Sequence, residues 1–347
     1  MRIDATSPPD IHRRRIGRTN LHVSEIGFGT GSLGGLFAPI SDEQGRATIR
    51  EALSLGITSF DTSPFYGYGR SEHILGDVLR EQGADVVLST KVGRLLEPYW
   101  GDEREREGWI DPQPFTPRYD YSYDGVMRSV TDSRQRLGLS RIDMLFVHDI
   151  GTMNHGAGQN AIHWKQLEEG GYRALSELKA AGLVKAIGVG VNEWPVLVDA
   201  LALADWDVFL LAQRYTLLEQ EALSPLMDAC LKRGTSIIIG GVFNGGLLVG
   251  GGRWNYRPAP DDVLSHRDAL IAFCRERGVP LAAAAVQMPL AHPAVCCVLA
   301  GATSTDQVRQ FIDWSRTEIP DAFWQDLAQS GLLRVGTSLP GGYTATQ

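Results

Sequence analysis

The sequence predicts a (β/α)8 TIM barrel with an N-terminal hairpin and long substrate loops. Three observations predict it. A short apolar or β-branched run ending in Gly, Asp, Lys, His or Gln, followed by a loop and an amphipathic stretch, recurs eight times. Glycines stand just past the last periodic residue of these stretches, at Gly56, Gly138, Gly182, Gly234 and Gly278. The polar residues that break the apolar runs fall at the C-terminal strand ends, where barrels of this kind place their chemistry.

In chain order, strands are expected at 25–29, 57–61, 86–91, 143–148, 185–190, 208–213, 236–241 and 295–301. Helices are expected at 43–55, 71–81, 122–137, 168–181, 194–204, 219–233, 263–277 and 304–314. Ahead of the first strand, Arg14 to Ile16 and Leu21 to Val23 flank Gly17-Arg18-Thr19-Asn20, a hairpin placed to plug the other mouth. Segments 92–121, 149–166 and 241–262 exceed ordinary connections and read as functional loops. The chain, 1–347, reads as one domain: a barrel over about 14–316 and a tail over 317–347 that covers one face.

A formal charge of −8 argues against nucleic acid as a partner, since phosphate binding needs a basic face. Apolar content of 43% and charged content of 21% suit a full core, so the expected partner is a small molecule. No run approaches the ~20 apolar residues of a membrane span. Met1 to Arg15 lacks the apolar core of a signal peptide, which places the protein in the cytoplasm. Cys230, Cys274, Cys296 and Cys297 have neither disulfide-framework nor zinc spacing and read as reduced, buried thiols.

Gly29-Thr30-Gly31-Ser32-Leu33-Gly34 matches the dinucleotide fingerprint G-x-G-x-x-G after a strand. That fingerprint needs its glycines to open a helix, and here irregular chain continues until Ser41 or Asp42 can cap one. A Rossmann fold is therefore rejected, although the backbone of Gly29 and Thr30 can still approach a cofactor.

Asp61 ends the second strand, and Tyr66 follows on the same loop. Lys91 ends the third strand and His148 the fourth. Four ionisable side chains from three successive strand ends converge at one mouth. A Tyr phenol, with a pKa of about 10, moves a proton near neutral pH only beside a cation. Lys91 supplies that cation, Asp61 keeps it charged and aimed, and His148 holds the reacting oxygen.

At these residues the chain resembles the aldo-keto reductase superfamily, from the hairpin to about Trp314. The resemblance implies a catalytic tetrad of Asp61, Tyr66, Lys91 and His148, with Tyr66 the general acid/base. It implies carboxamide contacts from Asn192 and Gln213, and Tyr215 stacked on the nicotinamide ring. Gly241, Val242, Phe243, Asn244 and Gly246 fall where the family wraps the pyrophosphate. Gly301, Thr303, Ser304, Gln307 and Gln310 fall where it holds the adenosine end. Members specific for NADP commonly carry Lys where Gly301 stands and Arg where Gln307 stands. NAD is thus the expected cofactor, NADP the alternative, with Arg309 the one nearby cation able to reverse the preference.

Residues 119–129, 190–194 and 214–220 are similar to the branch of D-threo-aldose 1-dehydrogenases, or L-fucose dehydrogenases, which also holds pyridoxal 4-dehydrogenase. The resemblance implies oxidation of an aldose of the L-fucose, D-arabinose or L-galactose type at C1 to the lactone. Pyridoxal oxidation and NADPH-dependent aldehyde reduction are the alternatives, and a cofactor-sensing channel-subunit role is the non-enzyme one. Phe65, Trp100, Trp109, Trp254 and Tyr256 are the expected substrate contacts, because aromatic faces interleaved with polar groups suit a sugar or a pyridine.

Overall fold

A computed structural model describes residues 11–346. Met1 to Asp10, most of the stretch read as lacking a signal core, lie outside the described residues. Eight parallel strands close into a barrel in chain order: Ile26–Gly29, Ser59–Asp61, Val87–Val92, Met144–His148, Ala186–Val191, Val208–Ala212, Ser236–Gly240 and Val295–Ala300. All eight fall on the predicted runs.

The hairpin pairs Arg13–Arg15 with His22–Ser24. Its Ile16, Leu21 and Val23 pack onto Met144, Phe146, Leu210 and Leu299 inside the barrel, so it plugs the N-terminal mouth. The turn depends on Gly17: its φ is +49°, and a Cβ there would sit 2.4 Å from the carbonyl oxygen of Asp207. Gly31–Gly34 forms one 3-10 turn, and the following helix, Asp42–Ser54, starts only where the Ser41 hydroxyl caps the Gln44 N–H. No Rossmann helix opens at the glycines.

Other helices depart from the expected pattern. Thr152–Gln166, read as loop, is helical apart from a break at Gly156, and runs through the π-turn Leu167–Gly171 into Tyr172–Ala180. The helix packed on the eighth strand is Leu281–Leu290, not the predicted 263–277 helix, which forms as Asp261–Glu276 further out. Predicted helix 219–233 starts only at Leu226, since Pro225 has no N–H to give an earlier turn.

The long loop after the third strand folds into two hairpins, Arg94–Pro98 with Phe115–Tyr119 and Glu105–Arg106 with Trp109–Ile110. In the tail, helix Asp321–Gln329 buries Phe323, Trp324 and Leu327. Arg334 ties the tail to Gln220 and Glu221 after the sixth strand. The four cysteines are unpaired and buried. Among the described residues, no helix is long and apolar enough to cross a membrane.

Candidate active site

A cavity of about 450 Å³ opens at the C-terminal mouth of the barrel. Asp61, Tyr66, Lys91 and His148 all line it. Lys91 lies on an inward position of a buried parallel strand and is 2% exposed. Its ammonium donates to Asp61 Oδ2 at 2.6 Å, to the Thr62 carbonyl at 2.9 Å and to Tyr66 Oη at 3.0 Å. Ser89 donates to the other Asp61 oxygen at 2.7 Å, which fixes the carboxylate. All three ammonium donors are therefore spent, and the phenol is one of the groups they serve.

These contacts set the charges. Burial works against the Lys91 ammonium, yet Asp61 and Tyr66 outweigh it and hold its pKa above the usual lysine range. Burial likewise lifts the Tyr66 phenol above its ordinary value; Lys91 opposes that rise while Asp61 and Asp149 add to it. His148 is driven well below the usual imidazole value, by burial first and then by Arg94 and Lys91, so its ring is neutral. The Ser63 hydroxyl lies 3.1 Å from His148 Nδ1. With that hydroxyl donating, the single ring proton sits on Nε2, facing the cavity beside Asp149.

Two buried side-chain oxygens, Asn192 Oδ1 and Gln213 Oε1, have no hydrogen-bond partner among the described residues, and both residues line the cavity. Buried polar atoms are rarely left unmatched. An amide NH2 group would satisfy both. The same cavity is lined by Gly29, Gly190, Gly240, Gly241 and Gly301, which carry no side chain. A Cβ at Gly29 would meet nothing nearer than 4.0 Å, so a flat ring has room there. These residues fit a nicotinamide carboxamide.

Of the expected substrate contacts, Phe65, Trp109 and Tyr256 line the cavity. Trp100 does not: it sits at the tip of the Arg94–Pro98 hairpin and is 92% exposed. Trp254 is also displaced, because its indole N–H donates to Glu219 at 2.8 Å. Tyr215 is likewise corrected. The left-handed backbone of Gln213, φ +66°, precedes a turn that buries Tyr215 against His292 at 5.6 Å between ring centres, away from the cavity.

Among the expected pyrophosphate residues, Gly241 lines the cavity and Val242 is buried in the core. Phe243 packs on Phe311 and Trp314. Asn244 is fully bonded, to the Gln213 carbonyl, Thr216 and Glu219, and braces one loop against another. Gly246 supplies a tight turn, φ +98°. Thr30 is buried, with its N–H on the Asp61 carbonyl. Ser304 caps the last barrel helix, and Gln307 folds back onto the Thr303 N–H at 2.7 Å. Gln310 is exposed on that helix.

Sequence reasoning missed Ser63, Arg94, Glu107 and Asp149. Asp149 carried a signal, since it directly follows His148 at a strand end. Arg94 had none beyond lying three residues after Lys91.

A sequence model of the Aldo/keto reductase family matches residues 25–331, and the chain belongs to that family. It is an oxidoreductase of small molecules that uses a nicotinamide cofactor. It is 46% identical to pyridoxal 4-dehydrogenase of Microbacterium luteolum, across 92% of this chain and 98% of that one. It is 35% identical to D-threo-aldose 1-dehydrogenase of a Pseudomonas species, covering 90% and 95%. L-galactose dehydrogenase of Arabidopsis thaliana shares 30%, covering 86% of each chain. The holo form of an aldo-keto reductase from Bacillus halodurans superposes with a TM-score of 0.70 at 27% identity, covering 93% of this chain and 97% of that one.

Proposed function

We propose that the chain is an NAD-dependent dehydrogenase that oxidises a cyclic hemiacetal to its lactone, with pyridoxal the leading substrate. The observation that carries this reading is the wall around the tetrad, where Phe65 and Trp109 meet edge to face at 5.5 Å and Phe37 and Tyr256 close the rim. Aromatic faces hold a pyridine ring, and offset or perpendicular ring pairs are their preferred geometry. In water the formyl group of pyridoxal closes onto the neighbouring hydroxymethyl group, which gives it the hemiacetal carbon that an aldose also carries.

When bound, the nicotinamide cofactor accepts the hydride. Asn192 and Gln213 hold its carboxamide, and the glycine wall leaves space for the ring. Tyr66 takes the hydroxyl proton of the substrate, and Lys91 stabilises the phenolate that would otherwise form at high cost. Asp61 aims Lys91. His148 donates from Nε2 to the substrate oxygen and orients it.

The cofactor preference follows from the eighth strand. Gly301 and Gln307 offer no positive charge. Arg309 is committed to Glu51 at 2.8 Å and Asp306 at 2.9 Å, so its charge is already matched. The enzyme is expected to use NAD at least about tenfold better in kcat/KM than NADP, because a 2′-phosphate would lack the roughly 1.5–3 kcal/mol of a charged hydrogen bond. A clear advantage for NADP would sink this assignment. Buried thiols and NAD use go with oxidation in the cytoplasm.

Aldose oxidation is the second reading, favoured by Glu107, Asp149 and Asn154 on the same cavity, which suit sugar hydroxyls. The two readings part in one assay. Initial NADH formation from pyridoxal, L-fucose, D-arabinose and L-galactose should give the highest kcat/KM with pyridoxal; a sugar ahead of it would transfer the assignment to aldose oxidation.

A further inference from the structure

Beside the tetrad stands a buried ion pair that the reaction above does not use. Arg94 opens the hairpin strand Arg94–Pro98, is 2% exposed and lines the cavity. Its guanidinium lies 4.0 Å over the Phe65 ring and donates to Asp149 Oδ2 at 2.5 Å. Asp149 has a left-handed backbone, φ +47°, and its N–H is held by the Gly190 carbonyl at 2.8 Å. That conformation sets its carboxylate at the cavity, where the same Oδ2 is 3.4 Å from His148 Nε2.

A guanidinium carries five N–H donors and usually meets a carboxylate through two of them. Here a single bond holds the pair, and Arg94 Nε is buried with no partner among the described residues. Trp109 Nε1, on the same cavity, is buried and unmatched as well. A buried ion pair offsets its desolvation only when its remaining hydrogen bonds are made. Two unmet donors at a ligand cavity call for an acceptor from the ligand.

We propose that Arg94, held by Asp149, is the subsite for an ionised ring oxygen next to the reacting carbon, such as the 3-oxyanion of a hydroxypyridine. This deepens the pyridoxal reading and rests on it. Asp149 Oδ2 accepts from Arg94 and lies 3.4 Å from His148 Nε2, so the anion subsite and the reacting oxygen are neighbours. In pyridoxal the ring oxygen and the reacting carbon sit on adjacent ring atoms. The protonated ring nitrogen makes that ring hydroxyl acidic enough to be ionised at neutral pH. A sugar offers only neutral hydroxyls, which bind about half as strongly as a charged acceptor.

The test pairs Arg94→Gln and Arg94→Lys with pyridoxal and its 3-O-methyl ether, which keeps the ring and formyl group but lacks the oxyanion. The wild type should prefer pyridoxal by roughly 10- to 100-fold in kcat/KM, the range of a charged hydrogen bond. Arg94→Gln should lose that preference mainly through KM for pyridoxal, and Arg94→Lys should keep part of it. An equal fall on both substrates would mean a structural role and overturn the subsite. Calorimetry of 4-deoxypyridoxine and its 3-O-methyl ether, in the presence of NADH, reads the subsite without turnover. If the wild type oxidised L-fucose and not pyridoxal, the substrate reading would fall. The calorimetry would still decide on Arg94, because equal binding of the two pyridines overturns the proposal.

Discussion

Replacing Tyr66 with Phe lowers kcat/KM for pyridoxal by roughly 10²- to 10⁴-fold, the usual worth of a positioned acid/base. NADH binding stays nearly unchanged, because the ring remains and only the hydroxyl is lost. The Tyr66 oxygen receives the third hydrogen of the Lys91 ammonium at 3.0 Å, which sets this hydroxyl beside a fixed cation. Burial holds that phenol above its ordinary pKa, and oxidation needs its deprotonated form. The wild-type rate should therefore climb with pH through the alkaline range, as the phenolate fraction grows. A Phe variant that kept both its rate and that climb would remove Tyr66 from the mechanism.

The Lys91→Met variant should fail twice. Activity falls because nothing stabilises the phenolate. Stability falls because Asp61, 4% exposed, keeps a buried carboxylate without its ammonium. Removing one partner of a buried pair costs about 3–5 kcal/mol, a drop in Tm of roughly 4–7 °C in a chain of this size. Adding Asp61→Asn removes the orphaned charge, so the double variant should melt near the wild type and stay inactive. Thermal melting and initial rates on the wild type and the two variants separate the two losses. If Lys91→Met melts with the wild type, the pair is not the buried, mutually dependent unit described above.

The tetrad was legible because the barrel strands carry few charges, so the ionisable Asp61, Lys91 and His148 stand out at or next to their C-terminal ends. The strands were legible for the same reason. Helix Leu281–Leu290 was not, since a run of alanines with Leu, Val and Met is buried all round and shows no polar stripe. Helix Thr152–Gln166 failed in the opposite way: its apolar residues form no buried stripe, and of its residues only His163 is buried.

Side-chain direction in loops was the other loss. Nothing in the order of residues says that a left-handed Gln213 precedes a turn carrying Tyr215 to His292, or that hairpin register puts Trp100 at an exposed tip. Asn244 was read as a pyrophosphate contact from the family resemblance, and Trp254 as a substrate contact from its aromatic face in a long loop. The structure spends both on Glu219, which Arg214 also binds at 2.8 Å while donating to the Asn192 carbonyl. They therefore brace the loops that position Asn192 and Gln213.

In the proposed reaction, hydride leaves a substrate carbon held at Tyr66 for a nicotinamide. Its most direct measurement uses pyridoxal deuterated at the formyl carbon with unlabelled NAD, followed by mass spectrometry of both products. One deuterium is expected in each NADH formed, with the transfer lost in Tyr66→Phe. NADH without deuterium, its new hydrogen drawn from solvent and the label released to water, would contradict it.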